Sequence, residues 1–479
     1  MGIAVSNWHL ANTVARRGQM GVVSGTAIDS VLARRLQIGD PGGHMRRAIE
    51  HFPWPEMAER ILKAYYIPGG KAPDEPFKLN PMKKMNLGKR SIELLIVSNF
   101  VEVWLAKEGH DGVVGINYLE KIQRPTLPSA LGSMLAGVDF VLMGAGIPLA
   151  IPGILDKLSE WEVAELRLGA VDNPNRHSYV QSFDPKDYLE GERFPLKRPQ
   201  FLAIISSDIL AKTFVRRASG YTDGFIVEHH TAGGHNAPPR KDRDAPDRVN
   251  QYGPKDEPNL APIAEIGRPF WMAGGYASPD RIQWAIDQGA TGVQLGSIFA
   301  ACDESGLIPE VKQDILGKYL DGTLTIRTDF IASPTGFPFK VVELEDTVGM
   351  ADTYEERERV CDMGFLRDMY SIDEKKVGYR CASEPVDDFI SKGGTVERAE
   401  GRRCLCNGLM STIGLGQVRE GGVVEPPVVT AGDDFSFLPH VMKKGMQSYS
   451  ANDVLNYLLC EEYDQAAQTL APEPELIKD

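Results

Sequence analysis

The feature that most restricts this chain is a recurring alternation over its first 305 residues. Short apolar, β-rich runs are followed by amphipathic stretches of helical length. Nine runs read as strands: Ile3–Val5, Gly21–Ser24, Ile92–Ser98, Val113–Asn117, Phe140–Gly144, Phe201–Ser206, Gly224–Glu228, Phe270–Ala273 and Gly292–Leu295. Most are continuously apolar rather than alternating, as expected of parallel strands covered on both faces. Helical stretches such as Ile28–Leu36, Phe100–Lys107, Ile209–Arg217 and Pro279–Gln288 fall between them. The pattern predicts an α/β fold, a (β/α)8 TIM barrel over residues 1–345. Nine candidates exceed eight by one, and the surplus falls most readily on Ile92–Ser98 or Val113–Asn117. A doubly wound open sheet satisfies the same pattern.

Two regions break the rhythm. Residues from about 37 to 91 read as a mostly helical insertion rich in Pro, Gly, Met and aromatic residues. Beyond Ser305 the repeat fades, and residues 346–425 read as a separate cysteine-containing module. Residues 426–479 form a C-terminal segment whose polar tail, from Asp464, is expected to be disordered.

Charge and hydropathy narrow the partners. Lys plus Arg number 52 and Asp plus Glu 66, a formal net charge of −14. Neither nucleic acid nor an anionic membrane attracts such a surface. The longest uncharged apolar run, Phe140–Leu155, carries three glycines and two prolines. It also falls short of the roughly 18 residues a span needs. With no secretory signal pattern and only six cysteines, a cytoplasmic protein is expected. A small molecule is the expected partner, and self-association stays open.

The strongest chemical signal is a pair of glycine-bearing strand ends, Phe270-Trp-Met-Ala-Gly-Gly-Tyr-Ala-Ser-Pro279 and Gly292-Val-Gln-Leu-Gly-Ser-Ile-Phe299. As the last two strands of a barrel they would lie side by side, where phosphate is often bound. Glycine lets backbone N–H groups approach phosphate oxygens, a following helix N-terminus adds partial positive charge, and Ser297 adds a hydroxyl. Two tight turns with glycine for steric reasons would read the same way.

The second signal is Ile226-Val-Glu-His-His-Thr-Ala-Gly-Gly-His-Asn236. An apolar strand runs into a glycine turn bearing His235, and residues just past the C-terminal end of a barrel strand face the active site. Histidine there can exchange a proton near neutral pH, although a purely structural histidine fits as well. A metal site is the rival reading. Adjacent His229 and His230, if on a strand, project to opposite sides, and no acidic or Cys partner stands at a recognisable ligand spacing.

Taken in order, the Met1-Gly2 start, Gly-Val-Val-Ser-Gly, Gly-Ile-Asn, Ala-Gly-Gly-His, Ala-Gly-Gly and Val-Gln-Leu-Gly-Ser resemble the nitronate monooxygenases, formerly 2-nitropropane dioxygenases. Their superfamily includes flavin-type enoyl reductases. The resemblance runs over roughly residues 1–345, with Ser333-Pro-Thr-Gly-Phe-Pro338 as a further element. It implies an FMN-binding TIM barrel. By that resemblance Gly274, Gly275, Gly296 and Ser297 hold the FMN phosphate, Asn117 contacts the ring or ribityl chain, and Gln294 lies near the cofactor. Gly233 and Gly234 give the flavin room, and His235 is the catalytic base. Three features depart from the family: Asn236-Ala-Pro-Pro239 after the histidine, a start inside the first strand that leaves the barrel one strand short, and the long C-terminal extension.

The implied function is FMN-dependent oxidation, with O2, of a nitronate or similar stabilised carbanion. The alternatives are an NAD(P)H-dependent 2-enoyl-thioester reductase serving fatty acid or polyketide synthesis, and a non-catalytic barrel scaffold. No Gly-x-Gly-x-x-Gly follows an early strand, although a barrel flavin can be reduced by NAD(P)H without one. In the C-terminal module Cys361, Cys381, Cys404 and Cys406 could hold zinc or an iron–sulfur cluster. Nearby Arg380, Arg402 and Arg403 would favour the thiolates. Unliganded buried thiols and redox-active thiols are the other readings. Cys302 and Cys460 read as core residues.

Overall fold

The computed structural model describes residues 2–189, 191, 193–241, 250–442 and 446–460. The tail from Asp464 lies outside them. The central element is a single parallel sheet with the order β1 (Gly21–Ser24), β2 (Val114–Leu119), β3 (Phe140–Gly144), β6 (Gln200–Ile205), β7 (Gly224–Glu228), β8 (Phe270–Ala273) and β9 (Gly292–Gln294). Two-stranded antiparallel ribbons flank it: β4 (Ala164–Leu168) with β5 (Tyr179–Phe183), β10 (Ile326–Asp329) with β11 (Phe339–Val342), and β12 (Asp368–Ser371) with β13 (Val377–Arg380).

Apolar residues on both faces explain why these runs form a parallel sheet. Leu142, Leu202, Ile204, Ile226 and Trp271 gather with Val22 in one inward cluster. Their strand neighbours Val141, Phe201, Ala203, Phe225, Val227, Phe270 and Met272 belong to the large outer core under the helices. The period of two is present in the structure and hidden in the sequence, because both faces are apolar.

The sheet has seven strands, not eight, and among the described residues β1 and β9 do not pair with each other. Two expected strands fail for separate reasons. Ile92–Ser98 lies inside a 19-residue helix, Lys89–Lys107, buried along most of its length. Packed against helices Trp8–Arg16, Ile28–Gln37 and Thr126–Leu135, it has no polar face and so no helical period to read. Ile3–Val5 is not a strand either, since Ala4 adopts a left-handed φ of 44°. The segment straps β1 instead: Ser24 donates from its backbone to Ser6 O (2.9 Å) and from its hydroxyl to Gly2 O (2.8 Å). On its far side Gly306 N donates to Val5 O (2.9 Å).

The insertion is only half helical, with helices His44–Glu50 and Pro55–Tyr65 followed by an irregular stretch to the next helix at Lys89. The cysteine-containing segment is not set apart. Met363, Phe365, Leu405, Met410 and Val428 share a core with Ile3, Val31, Phe77, Ile122 and Phe339. Gln417 clamps the insertion to it, accepting from Phe77 N (2.7 Å) and donating to Phe77 O (3.0 Å). Among the described residues, no helix is long and apolar enough to cross a membrane.

Candidate functional site

The C-terminal ends of the parallel strands open into a cavity of about 840 Å³, counted out to solvent. Its floor carries Asn117 from β2, Gly144 from β3, Ile204 from β6 and Glu228 from β7, with His235 and Gly234 from the loop after β7. Phe339 and the C-terminal residues Phe365, Leu366, Leu405, Cys406 and Leu409 form an apolar roof. The extension that sequence reasoning set aside as a module therefore encloses the site.

His235 is positioned by backbone pairing. Asn236 N donates to Pro338 O (3.0 Å) and Lys340 N to Gly234 O (2.9 Å), so the loop lies antiparallel to the start of β11. The side chain of Asn236 donates back to Ala232 O (3.0 Å) and stiffens the turn. The His235 ring meets Phe339 edge-on at 5.0 Å, and its Nε2 lies 2.7 Å from Ser333 Oγ. Ser333 in turn bonds Thr335 Oγ1 at 2.8 Å, and its carbonyl accepts from Arg402 (2.7 Å). Enclosure by protein, reinforced by the Lys121 charge, holds His235 well below the ordinary histidine value, so the ring is neutral at pH 7.

Sequence reasoning missed the charges beside it. Lys121, just past the end of β2, has a buried Nζ with no hydrogen-bond partner and stands 3.3 Å from the centre of the Phe337 ring. Burial lowers it to about 7, against the pull of Glu228 and Glu120. Burial raises Glu228 to about 7, with Lys121 opposing. The available signal was positional: both residues stand where a strand ends, but a lone Lys or Glu at a strand end is common in any fold.

The two glycine turns are neighbours, because Ala273 lies opposite Gln294 in the β8–β9 register. A Cβ at Gly296 would meet open space, whereas one at Gly274 would meet Thr231 Oγ1 at 2.9 Å. Gly274 has φ of 100°, which a side chain would strain. Arg281 donates to Gly275 O, bringing a guanidinium to the turn. Ser297 Oγ is engaged, accepting from Gly432 N at 2.7 Å. Gly233 serves this same C-terminal strap: its missing Cβ would stand 2.8 Å from Ala431 C and 2.9 Å from Gly432 N. The strap is fastened by Asp433 N to Thr231 O (3.1 Å) and Gly234 N to Thr430 Oγ1 (2.8 Å).

Among the described residues, no three of the cysteines bring their sulfur atoms within 4.8 Å of one another. Among the described residues, the one set of three or more ligating groups whose ligand atoms lie within 4.8 Å of one another is His229, His230 and Glu257. Cys361 hydrogen-bonds Cys381, which raises Cys361 and lowers Cys381, and Cys381 Sγ lies 3.2 Å from Ser383 Oγ. Burial pushes Cys404 up to about 11 and raises Cys406. The expected arginine activation fails because the guanidinium groups are spent elsewhere. Arg380 pairs with Asp172, Arg402 donates to Ile331 O and Ser333 O, and Arg403 pairs with Asp329 (2.9 Å). Cys302 is buried as expected, whereas Cys460 is exposed.

The expectation for His229 and His230 is overturned. The chain leaves β7 at Glu228, so strand alternation no longer applies, and the two rings lie 4.0 Å apart. Glu257, 28 residues beyond His229, completes the group, a separation that matches no local ligand spacing.

No family model and no curated protein matches this sequence. Similar solved structures include FabK from Thermotoga maritima, at 16% identity over 71% of this chain and 68% of that one, with a TM-score of 0.35. The enoyl reductase domain of MlnA from the macrolactin biosynthesis cluster of Bacillus amyloliquefaciens is 12% identical; 73% of this chain and 63% of that chain are covered, with a TM-score of 0.37. They also include nitroalkane oxidase from Streptomyces ansochromogenes, 12% identical over 96% of this chain and 93% of that one, with a TM-score of 0.44.

Proposed function

We propose that the protein is an FMN-dependent oxidoreductase of the nitronate monooxygenase type, with His235 as the base that takes a proton from the substrate carbon. The observation that carries this reading is a histidine lining the cavity, its Nε2 held 2.7 Å from Ser333 Oγ. The residues present fit the cofactor in three respects. The cavity lies at the C-terminal ends of the parallel strands, where α/β sheets bind their ligands. The buried Nζ of Lys121 has no hydrogen-bond partner, and an anionic group beside it would hold it protonated. The turn at Gly296, beside the Gly274 turn and not among the residues lining the cavity, is open, so its backbone can approach a phosphate.

Gly274, Gly275 and Gly296 would hold the phosphate through their amides, with Arg281 beside them and Ser297 shared with the strap. Asn117 and Gln294 would meet the rest of the cofactor. When bound, FMN supplies the electron-accepting ring and its reoxidation by oxygen. The protein's own work is placement and proton handling. Neutral His235 accepts the proton on a ring nitrogen while the Ser333–Thr335 chain keeps the imidazole from turning. The roof of Phe339, Phe365, Leu366, Leu405 and Leu409 excludes water from the cavity.

That apolar roof also favours a second reading, a 2-enoyl-thioester reductase whose acyl chain lies against it. One set of assays separates the two. Oxygen uptake with alkyl nitronates, and none with thioesters, supports the first. NADPH-dependent reduction of a crotonyl-type thioester without nitronate turnover supports the second. Protein that is colourless and takes up no FMN removes both and leaves a non-catalytic scaffold.

A further inference from the structure

We propose that His229, His230 and Glu257 form a divalent-cation site of zinc type, outside the cavity and independent of the flavin reading. Three ligand atoms, two imidazole nitrogens and one carboxylate oxygen, already lie within 4.8 Å of one another. Zinc brings such atoms to about 2.0–2.2 Å from a common centre, which needs only side-chain rotation. The N2O donor set suits zinc better than calcium or magnesium, which take oxygen ligands.

The surroundings match what a bound histidine requires. His229 Nδ1 lies 2.8 Å from Thr231 Oγ1, which leaves Nε2 toward Glu257 Oε1 at 3.1 Å. A hydrogen bond at the second ring nitrogen fixes the ring angle of a metal-binding histidine, and Thr231 takes that place here. The His230 ring is stacked on Tyr252 with centroids 4.2 Å apart, and its buried Nδ1 has no hydrogen-bond partner. An unpaired buried ring nitrogen is costly unless something meets it. Glu257 is 60% exposed on its side chain, so a bound ion keeps a coordination position open to solvent.

The test is titration of metal-free full-length protein with Zn2+ against a chromogenic chelator, repeated with Co2+ to read the donor set from its visible bands. The wild type should bind one equivalent at this site, and Co2+ should give tetrahedral N/O bands without sulfur charge transfer. His230→Ala and Glu257→Gln should each weaken Zn2+ at least tenfold, and Thr231→Val about tenfold through loss of the orienting partner. Glu257→Gln guards against misfolding as the cause, because its side chain is mostly in solvent. No stoichiometric binding, binding unchanged in both ligand variants, or a cobalt spectrum dominated by sulfur would each overturn the proposal. The last would return the metal to the cysteines.

Discussion

Replacing Gly233 with alanine tests what this glycine is for. Its φ is not in the left-handed region, so alanine is conformationally acceptable and only the added methyl matters. That methyl would stand 2.8 Å from Ala431 C and 2.9 Å from Gly432 N, both backbone atoms that cannot rotate away. Ordinary carbon contacts lie near 3.5–4.0 Å, so the strap at 430–433 has to retreat by roughly 0.7–1 Å. Overpacking of that kind costs about 1–3 kcal/mol. The retreat also stretches the bonds from Gly432 N to Ser297 (2.7 Å), Asp433 N to Thr231 (3.1 Å) and Gly234 N to Thr430 (2.8 Å). Each contributes about 0.5–1.5 kcal/mol net, and water can replace part of it once the strap lifts. The expected result is local release of the strap, with a total loss of about 2–4 kcal/mol. Amide exchange at Gly432 and Asp433 should accelerate ahead of the sheet, and the unfolding midpoint should fall. Unchanged protection and midpoint together with lost flavin affinity would refute the reasoning, because Gly233 would then be making room for the cofactor instead.

Four further outcomes follow from the structure. His235→Ala should lower turnover by about 10²–10⁴-fold in flavin-loaded protein, measured by steady-state kinetics; parental turnover would remove the base assignment. Because burial depresses His235, its neutral form persists in the folded protein below the unfolded value of 6.5. The stability it contributes is therefore present above pH 6.5 and lost as pH falls through the lower folded value; the acid limb of kcat/KM should likewise lie below 6.5, and a limb above it would contradict the burial argument. Glu425→Gln should destabilise by about 3–5 kcal/mol in chemical denaturation, since Glu425 is 3% exposed and is shared by Arg357 and Arg419, which it would leave underpaired. Gly317→Ala, inside the helix Pro309–Leu320 with nothing within 4 Å of the new methyl, should stabilise by about 0.5–1 kcal/mol.

Seven of the nine strand candidates form the parallel sheet, because a run such as Phe201–Ile205 is apolar on both faces and bounded by turns. The neighbouring glycine turns and the place of His235 past β7 were equally legible, since chain order fixes which strand ends adjoin in a parallel sheet. Ile92–Ser98 was misread because a helix buried on all sides and a buried strand are written in the same residues.

What the sequence determined by itself was thus local: where apolar runs begin and end, and which residues stand at those ends. Only the tertiary structure decided what those residues meet. Lys121 lost its water, Gly233 received a backbone strap from about 200 residues away, His229 and His230 turned together with Glu257, and Cys361 met Cys381. The reason is physical: propensity and periodicity are properties of neighbours along the chain, whereas desolvation, steric contact and ligand geometry depend on groups that only folding brings within a few ångströms.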